Sequence, residues 1–160
     1  MDTLQAAKND LRQGWLTPQG AICDCCHQTV KLYKRKMAGM AVRELIDLFK
    51  ITDLNNPEFF HRSKFIKTVY YSCGDWAKLR HWGLISEKQN EDSSKKSSGE
   101  WRITEKGIDF VMGKIKVPSH IYIYNKETYN LVGAPESENI GVVEALGNKF
   151  NYPELMGYLI

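Results

Sequence analysis

The sequence predicts an α+β fold, and three observations carry that expectation. Apolar residues recur at helical spacing in two separate stretches, Asp2 to Gln13 and Ala38 to Lys50. Short β-branched and aromatic runs bracket polar turns at residues 84–103 and 120–132, the pattern of antiparallel hairpins. With 160 residues, 42% of them hydrophobic and 26% charged, the chain is large enough to bury a core under these elements.

In chain order, Leu4, Ala7 and Leu11 form one stripe of a first helix that Gly14 ends, with Trp15 and Leu16 as anchors. Met40, Val42, Leu45, Ile46 and Phe49 mark the core face of the helix over Ala38 to Lys50. Asn55-Asn56-Pro57 offers a cap followed by proline at the first helical position, so a further helix carrying Phe60, Phe65 and Ile66 is expected to start there. Val69-Tyr70-Tyr71 fits either the end of that helix or an extended link.

Ser72 and Asp75 imitate a capping box before the helix Trp76-Ala77-Lys78-Leu79-Arg80-His81-Trp82, which Gly83 stops. At a period of 3.6 residues Trp76, Leu79, Arg80 and Gly83 share one side, with Ala77, Lys78 and His81 pointing away. Leu84-Ile85 and Trp101-Arg102-Ile103 then read as paired strands. The twelve residues between Lys88 and Gly99 contain no apolar side chain, so they are expected as a solvated, flexible tip. Thr104 caps a helix to Val111, with Ile108 and Val111 inward and Gly113 as its stop.

Ile115 to Pro118 reads as a strand closed by proline. His120 to Tyr124 and Tyr129 to Val132 read as a hairpin around a polar turn, and Ser137 as the cap of a last helix containing Val142, Val143 and Leu146. Tyr122, Tyr124 and Tyr129 are a candidate stacking surface for single-stranded bases, although such a face more commonly serves as core or interface. The apolar tail through Phe150, Tyr152, Leu155 and Met156 either covers the back of the central module or forms a homodimer contact.

The run Leu79-x-x-Trp82-Gly83-Leu84-Ile85, a polar loop, and Trp101-x-Ile103-Thr104-x-x-Gly107 resembles the winged helix-turn-helix superfamily of small phage and bacterial DNA-binding regulators, over about residues 37–112. The resemblance implies a winged domain at 37–113, which leaves the N-terminal helix and C-x-x-C segment at 1–36 and the hairpin-and-helix extension at 114–160, expected to pack on that core. It also implies a helix for the major groove and a wing for phosphates or the minor groove. Carried onto this chain, those contacts fall on Lys78, Arg80 and His81 in the helix and Lys95 and Lys96 in the wing, where Glu91 and Asp92 oppose them.

A net charge of +3 is too small to argue nucleic-acid binding by itself, so distribution matters more. Lys31, Lys34, Arg35 and Lys36 form one basic run, and Arg62, Lys64, Lys67, Lys78 and Arg80 form another with Asp75 against them. The expected function is therefore binding of double-stranded DNA as a transcriptional regulator, with Lys34 and Arg35 added to the contact set. The alternative is a protein-docking winged helix, an adaptor or inhibitor of a host nucleoprotein complex of the phage anti-defence type. No apolar run is long enough to cross a membrane and the polar start lacks a signal-peptide pattern, so a cytoplasmic protein is expected.

Cys23-Asp24-Cys25-Cys26-His27 places three thiols and an imidazole within five residues. Cys23 and Cys26 have the C-x-x-C spacing that lets two thiolates take adjacent corners of a zinc tetrahedron. No second C-x-x-C follows, so His61 and Cys73 are the first candidates to complete a structural zinc site, with Cys25 as a further ligand if the turn differs. Unligated cysteines are the competing reading. Because the chain has no P-loop, G-x-S-x-G, H-E-x-x-H or deaminase signature, no enzymatic activity is expected.

Overall fold

The computed structural model of the chain describes residues 3–15, 19–66, 74–124, 127–129 and 138–157. It belongs to the α+β class, with helices beside small sheets of two or three strands. The chain divides into two compact units, one formed by Met1–Arg35 with His120–Glu136 and the other by Lys36–Ser119 with Ser137–Ile160. Neither unit is one consecutive stretch, because each recruits a later segment of chain.

In the smaller unit, helix α1 (Thr3–Gly14) precedes a tight antiparallel pair, β1 (Ala21–Ile22) and β2 (Thr29–Val30). Strand β3 (Tyr33–Lys36) borders a three-stranded sheet whose centre is β8 (His120–Tyr124) and whose far edge is β9 (Glu127–Tyr129). The expected hairpin at 120–132 is present as β8 and β9, with Tyr122 opposite Tyr129. Its second arm begins at Glu127, two residues before the expected start at Tyr129, and residues 130–132 of the expected arm lie outside the described residues.

The larger unit is organised around helix α2 (Gly39–Ile51), within one residue of the stretch that periodicity marks. Residues Ala41 through Leu48 are all buried, including Arg43, Glu44 and Asp47. A helix covered on every side needs partners on every side. They are helix α3 (Glu105–Val111), helices α4 (Val142–Leu146) and α5 (Tyr152–Met156), the 3-10 helix Trp76–Trp82, and strand β6 (Glu100–Ile103). The buried Glu44 carboxylate accepts from Arg62 at 3.0 Å. Arg43 lies 3.6 Å from Asp47 and 5.9 Å from the centre of the Phe150 ring.

Residues 57–66 do not form the expected helix. Phe60–His61 is instead a strand, β4, that pairs with Trp101 and Glu100 of β6, and Arg62–Lys64 follows as one 3-10 turn. A ladder to a strand some forty residues away overrides the local proline signal, and the His61 ring caps the turn by accepting from the Ser63 amide. Strand β5 (Ile85–Glu87) pairs with the other side of β6, giving the order β4-β6-β5.

The Trp76 helix also differs from its expectation, being 3-10 rather than α. Trp76, Leu79 and Trp82, three residues apart, are all buried, which is the repeat of a helix with three residues per turn. Arg80 consequently stands on the exposed side instead of the inner one. Asp75 holds the N-cap position without a side-chain cap, and Ser72 of the supposed capping box lies outside the described residues. Trp76 sits between Phe65, 5.1 Å away, and Trp101, 6.1 Å away edge to face. Trp82 donates its indole N–H to the Pro118 carbonyl at 2.7 Å.

Strand β7 (Val117–Pro118) pairs with β10 (Asn139–Ile140), and Tyr152 of α5 donates to the Val111 carbonyl at 2.6 Å, so the tail from residue 138 packs within this unit. Gly141 rather than Ser137 holds the N-cap of α4; Ser137 lies outside the described residues.

Thr104 caps α3 as its spacing implies, accepting from the Gly107 amide at 3.0 Å while its hydroxyl donates to the Gly83 carbonyl at 2.6 Å. The Leu84 carbonyl accepts from the Thr104 amide at 3.1 Å. A Cβ on Gly107 would lie 2.2 Å from that same oxygen. Thr104→Ala should therefore cost about 1 kcal/mol, the usual loss of a cap, whereas Gly107→Ala should cost about 3 kcal/mol or more because backbone must move. Urea unfolding of both variants measures the difference; equal midpoints would show that the close approach carries no weight.

Candidate nucleic-acid interface

Three of the expected contact residues, Lys78, Arg80 and His81, lie on the 3-10 helix, where the burial of Trp76, Leu79 and Trp82 turns them away from the core. Two of them meet carboxylates on their own surface. Lys78 is paired with Asp75, and Arg80 stands 3.7 Å from Glu87 on β5. Such exposed pairs contribute little to stability, but they reduce the field that the helix projects. His81 is half-buried, and its pKa is lowered by that burial, then by the charges of Arg80 and Lys78. The ring is consequently mostly neutral at pH 7.

Lys95 and Lys96 are exposed in the loop between β5 and β6. Although solvated, this loop is closed by its own polar groups. Asp92 accepts from the Ser94 amide at 3.0 Å and from its hydroxyl at 2.6 Å, contacts that hold the Asp92 carboxyl below its ordinary range. The Asn90 side chain accepts from the Asp92 amide at 3.1 Å, and Ser98 donates to the Lys88 carbonyl at 2.7 Å. The turn-forming chemistry of Asn, Asp and Ser supplies order that burial does not.

Lys34 and Arg35 belong to the other unit, on β3, every residue of which is exposed. Tyr33 on that strand lies 5.4 Å from the Arg35 guanidinium and 6.0 Å from the Lys31 ammonium, measured to the ring centre. A basic residue absent from the expected contact set is Arg102. Its place was legible in the alternation of β6: with Trp101 and Ile103 buried, Arg102 faces the other way, opposite Ser86, with its guanidinium 4.6 Å above the Phe59 ring.

A cleft of about 540 Å³ opens beside the start of α2, lined by Lys36, Met37, Glu144, Lys149 and Phe150 together with Asp75. Its two lysines and two carboxylates balance. It offers no single charge preference to a ligand.

Of the expected zinc ligands, Cys23 and Cys26 occupy the turn between β1 and β2, and His61 stands in the larger unit with its Nδ1 2.8 Å from the Ser63 hydroxyl. Cys73 lies outside the described residues. Among the described residues no three or more His, Cys, Asp or Glu side chains are grouped to hold a metal ion. The Cys23 thiol is held below its ordinary pKa by the amide of Cys26, then the amide of Cys25, then the Cys26 thiol. Among the described residues no helix is long and apolar enough to cross a membrane. Comparison with family models, with characterised protein sequences and with solved structures produced no match.

The His81 shift has a consequence for stability with a definite sign. A base whose folded pKa lies below its unfolded value stabilises the fold fully above that unfolded value, near 6.5, and the contribution is lost as pH falls through the folded value. Thermal unfolding between about pH 7.5 and 5.5 should show a stability loss that His81→Gln reduces. An unchanged pH slope in the variant would remove His81 as its source.

Proposed function

We propose that this chain is a DNA-binding protein of the winged helix-turn-helix type, acting as a transcriptional regulator, with the Trp76–Trp82 helix directed at the major groove and the loop 88–99 as the wing. The observation that carries the reading is the sheet order β4-β6-β5 around that helix. A strand from before the helix pairs with the far arm of the hairpin that follows it, so one sheet joins chain from both sides of the helix and carries the loop between two of its strands. The Arg80–Glu87 pair, at 3.7 Å, sets the exposed helix face beside the strand leading into the loop. Lys78, Arg80 and His81 supply the helix contacts, and Lys95 and Lys96 supply backbone contacts from the wing. Phosphate would take the place of Asp75 and Glu87 as the partner of Lys78 and Arg80.

A second reading, a protein-docking winged helix that acts as an adaptor or inhibitor of a nucleoprotein complex, is favoured by those same two pairs, since they leave the helix with little unopposed charge. Fluorescence anisotropy on a pool of duplex DNA at several salt concentrations separates the two. Under the first reading, Lys78→Ala with Arg80→Ala weakens binding about tenfold or more and lowers the salt slope by about 1 to 2. Full-strength binding by that double variant would refute the interface. Absence of duplex binding by the wild type, together with co-purification of one defined protein, would select the second reading.

A further inference from the structure

The turn between β1 and β2 is built more tightly than an incidental loop requires. Ala21 pairs with Val30 and Ile22 with Thr29, leaving Cys23 to Gln28 as the tip. Inside it the Cys23 amide donates to the Gln28 carbonyl at 2.9 Å, and the His27 amide donates back to the Cys23 carbonyl at 2.8 Å. His27 closes this ring in the left-handed region, at φ 59°, the one described residue other than glycine with positive φ. For a residue with a Cβ that conformation costs about 1 kcal/mol, so the hairpin holds the tip against a local preference.

The ring fixes the chain between the two cysteines of the C-x-x-C pair. Both backbone bonds start or end on Cys23, so the four residues from Cys23 to Cys26 are held inside one closed turn. Cys26 follows Cys23 by three residues within this closed turn, the spacing at which a C-x-x-C turn spans adjacent corners of a tetrahedron. Cys23 is half-buried, while Cys26 is exposed and therefore accessible to an ion. Cys25 is exposed as well, but it stands only two residues from Cys23 and lacks the C-x-x-C spacing.

We propose that this hairpin tip is a preorganised two-thiolate chelate for a soft divalent cation such as Zn²⁺, with Cys23 and Cys26 as the ligands and Cys25 outside the ligand pair. Binding forms two metal–sulfur bonds and releases to solvent whatever protons the two thiols still carry. The remaining two corners of the tetrahedron are filled from beyond the turn, by solvent or by other side chains. The assignment stands apart from the DNA-binding reading, since it concerns the other unit and a different class of ligand.

The test uses the full chain, reduced and freed of metal, titrated with Co²⁺ and then Zn²⁺. Wild type should develop the thiolate-to-cobalt charge-transfer absorption, and Zn²⁺ should displace it. Cys23→Ser and Cys26→Ser should each weaken binding about 100-fold or more, beyond the loss typical of an outer-shell change, whereas Cys25→Ser should change it less than about threefold. A second measurement needs no variant: Zn²⁺ should protect Cys23 and Cys26 from alkylation, read by mass spectrometry, and leave Cys25 reactive. No charge-transfer band in the wild type, a band that survives Cys23→Ser, or protection of Cys25 equal to that of Cys26 would each overturn the assignment.

Discussion

The carbonyl of Leu84 is the point on which the larger unit closes. It accepts from the Thr104 amide, and the Cα of Gly107 lies so close to it that no side chain fits between. One residue earlier, the Gly83 carbonyl receives the Thr104 hydroxyl. This single knot joins the end of the Trp76 helix, the start of β5, the end of β6 and the start of α3. Because both ends of the β5–β6 hairpin are tied there, the twelve residues of its tip are free to be wholly polar without loosening the arms. The spacing of Gly83, Thr104 and Gly107 thus has a mechanical reason: a left-handed helix stop, a cap that reaches across to it, and a backbone approach that only glycine permits.

Around that knot the charges are arranged for pairing more than for projection. Glu44, almost fully buried, holds Arg62, and breaking a buried pair is costly because the charge left behind is desolvated. On the surface Lys78 meets Asp75, Arg80 meets Glu87, and Lys88 stands 3.7 Å from Glu100 at the neck of the loop. The field in front of the helix is consequently smaller than a count of its cations implies. A DNA partner would have to compete with carboxylates already in place, which makes affinity sensitive to salt and to the geometry of exchange. Arg102 stands on the opposite face of β6, its planar guanidinium held over Phe59.

The smaller unit works on a different principle. Its tip is shaped by backbone hydrogen bonds within the turn rather than by packing, and β3 offers an edge on which Tyr33 is flanked by Lys31 and Arg35. The proposed soft-metal ligation and the cationic aromatic contact therefore both lie in the smaller unit, each defined within a few consecutive residues.

What the sequence determined by itself is whatever depends on neighbours in the chain. The span of α2, the Thr104 cap, the left-handed stops at Gly83 and Gly113, the β5–β6 and β8–β9 hairpins and the C-x-x-C turn all follow from spacing within a few residues. The candidate contacts on Lys95 and Lys96 were legible for the same reason, since a loop with no apolar residue has nowhere to go but solvent. Tertiary structure decided the rest. Pairing of Phe60–His61 with β6 replaced an expected helix because ladder hydrogen bonds across forty residues outweigh one proline signal. Packing of Trp76, Leu79 and Trp82 tightened the helix to three residues per turn and moved Arg80 to the outside. The partners of β8, and the carboxylates that meet Lys78 and Arg80, likewise depend on which distant surfaces the fold brings together, and no periodicity in the chain records that.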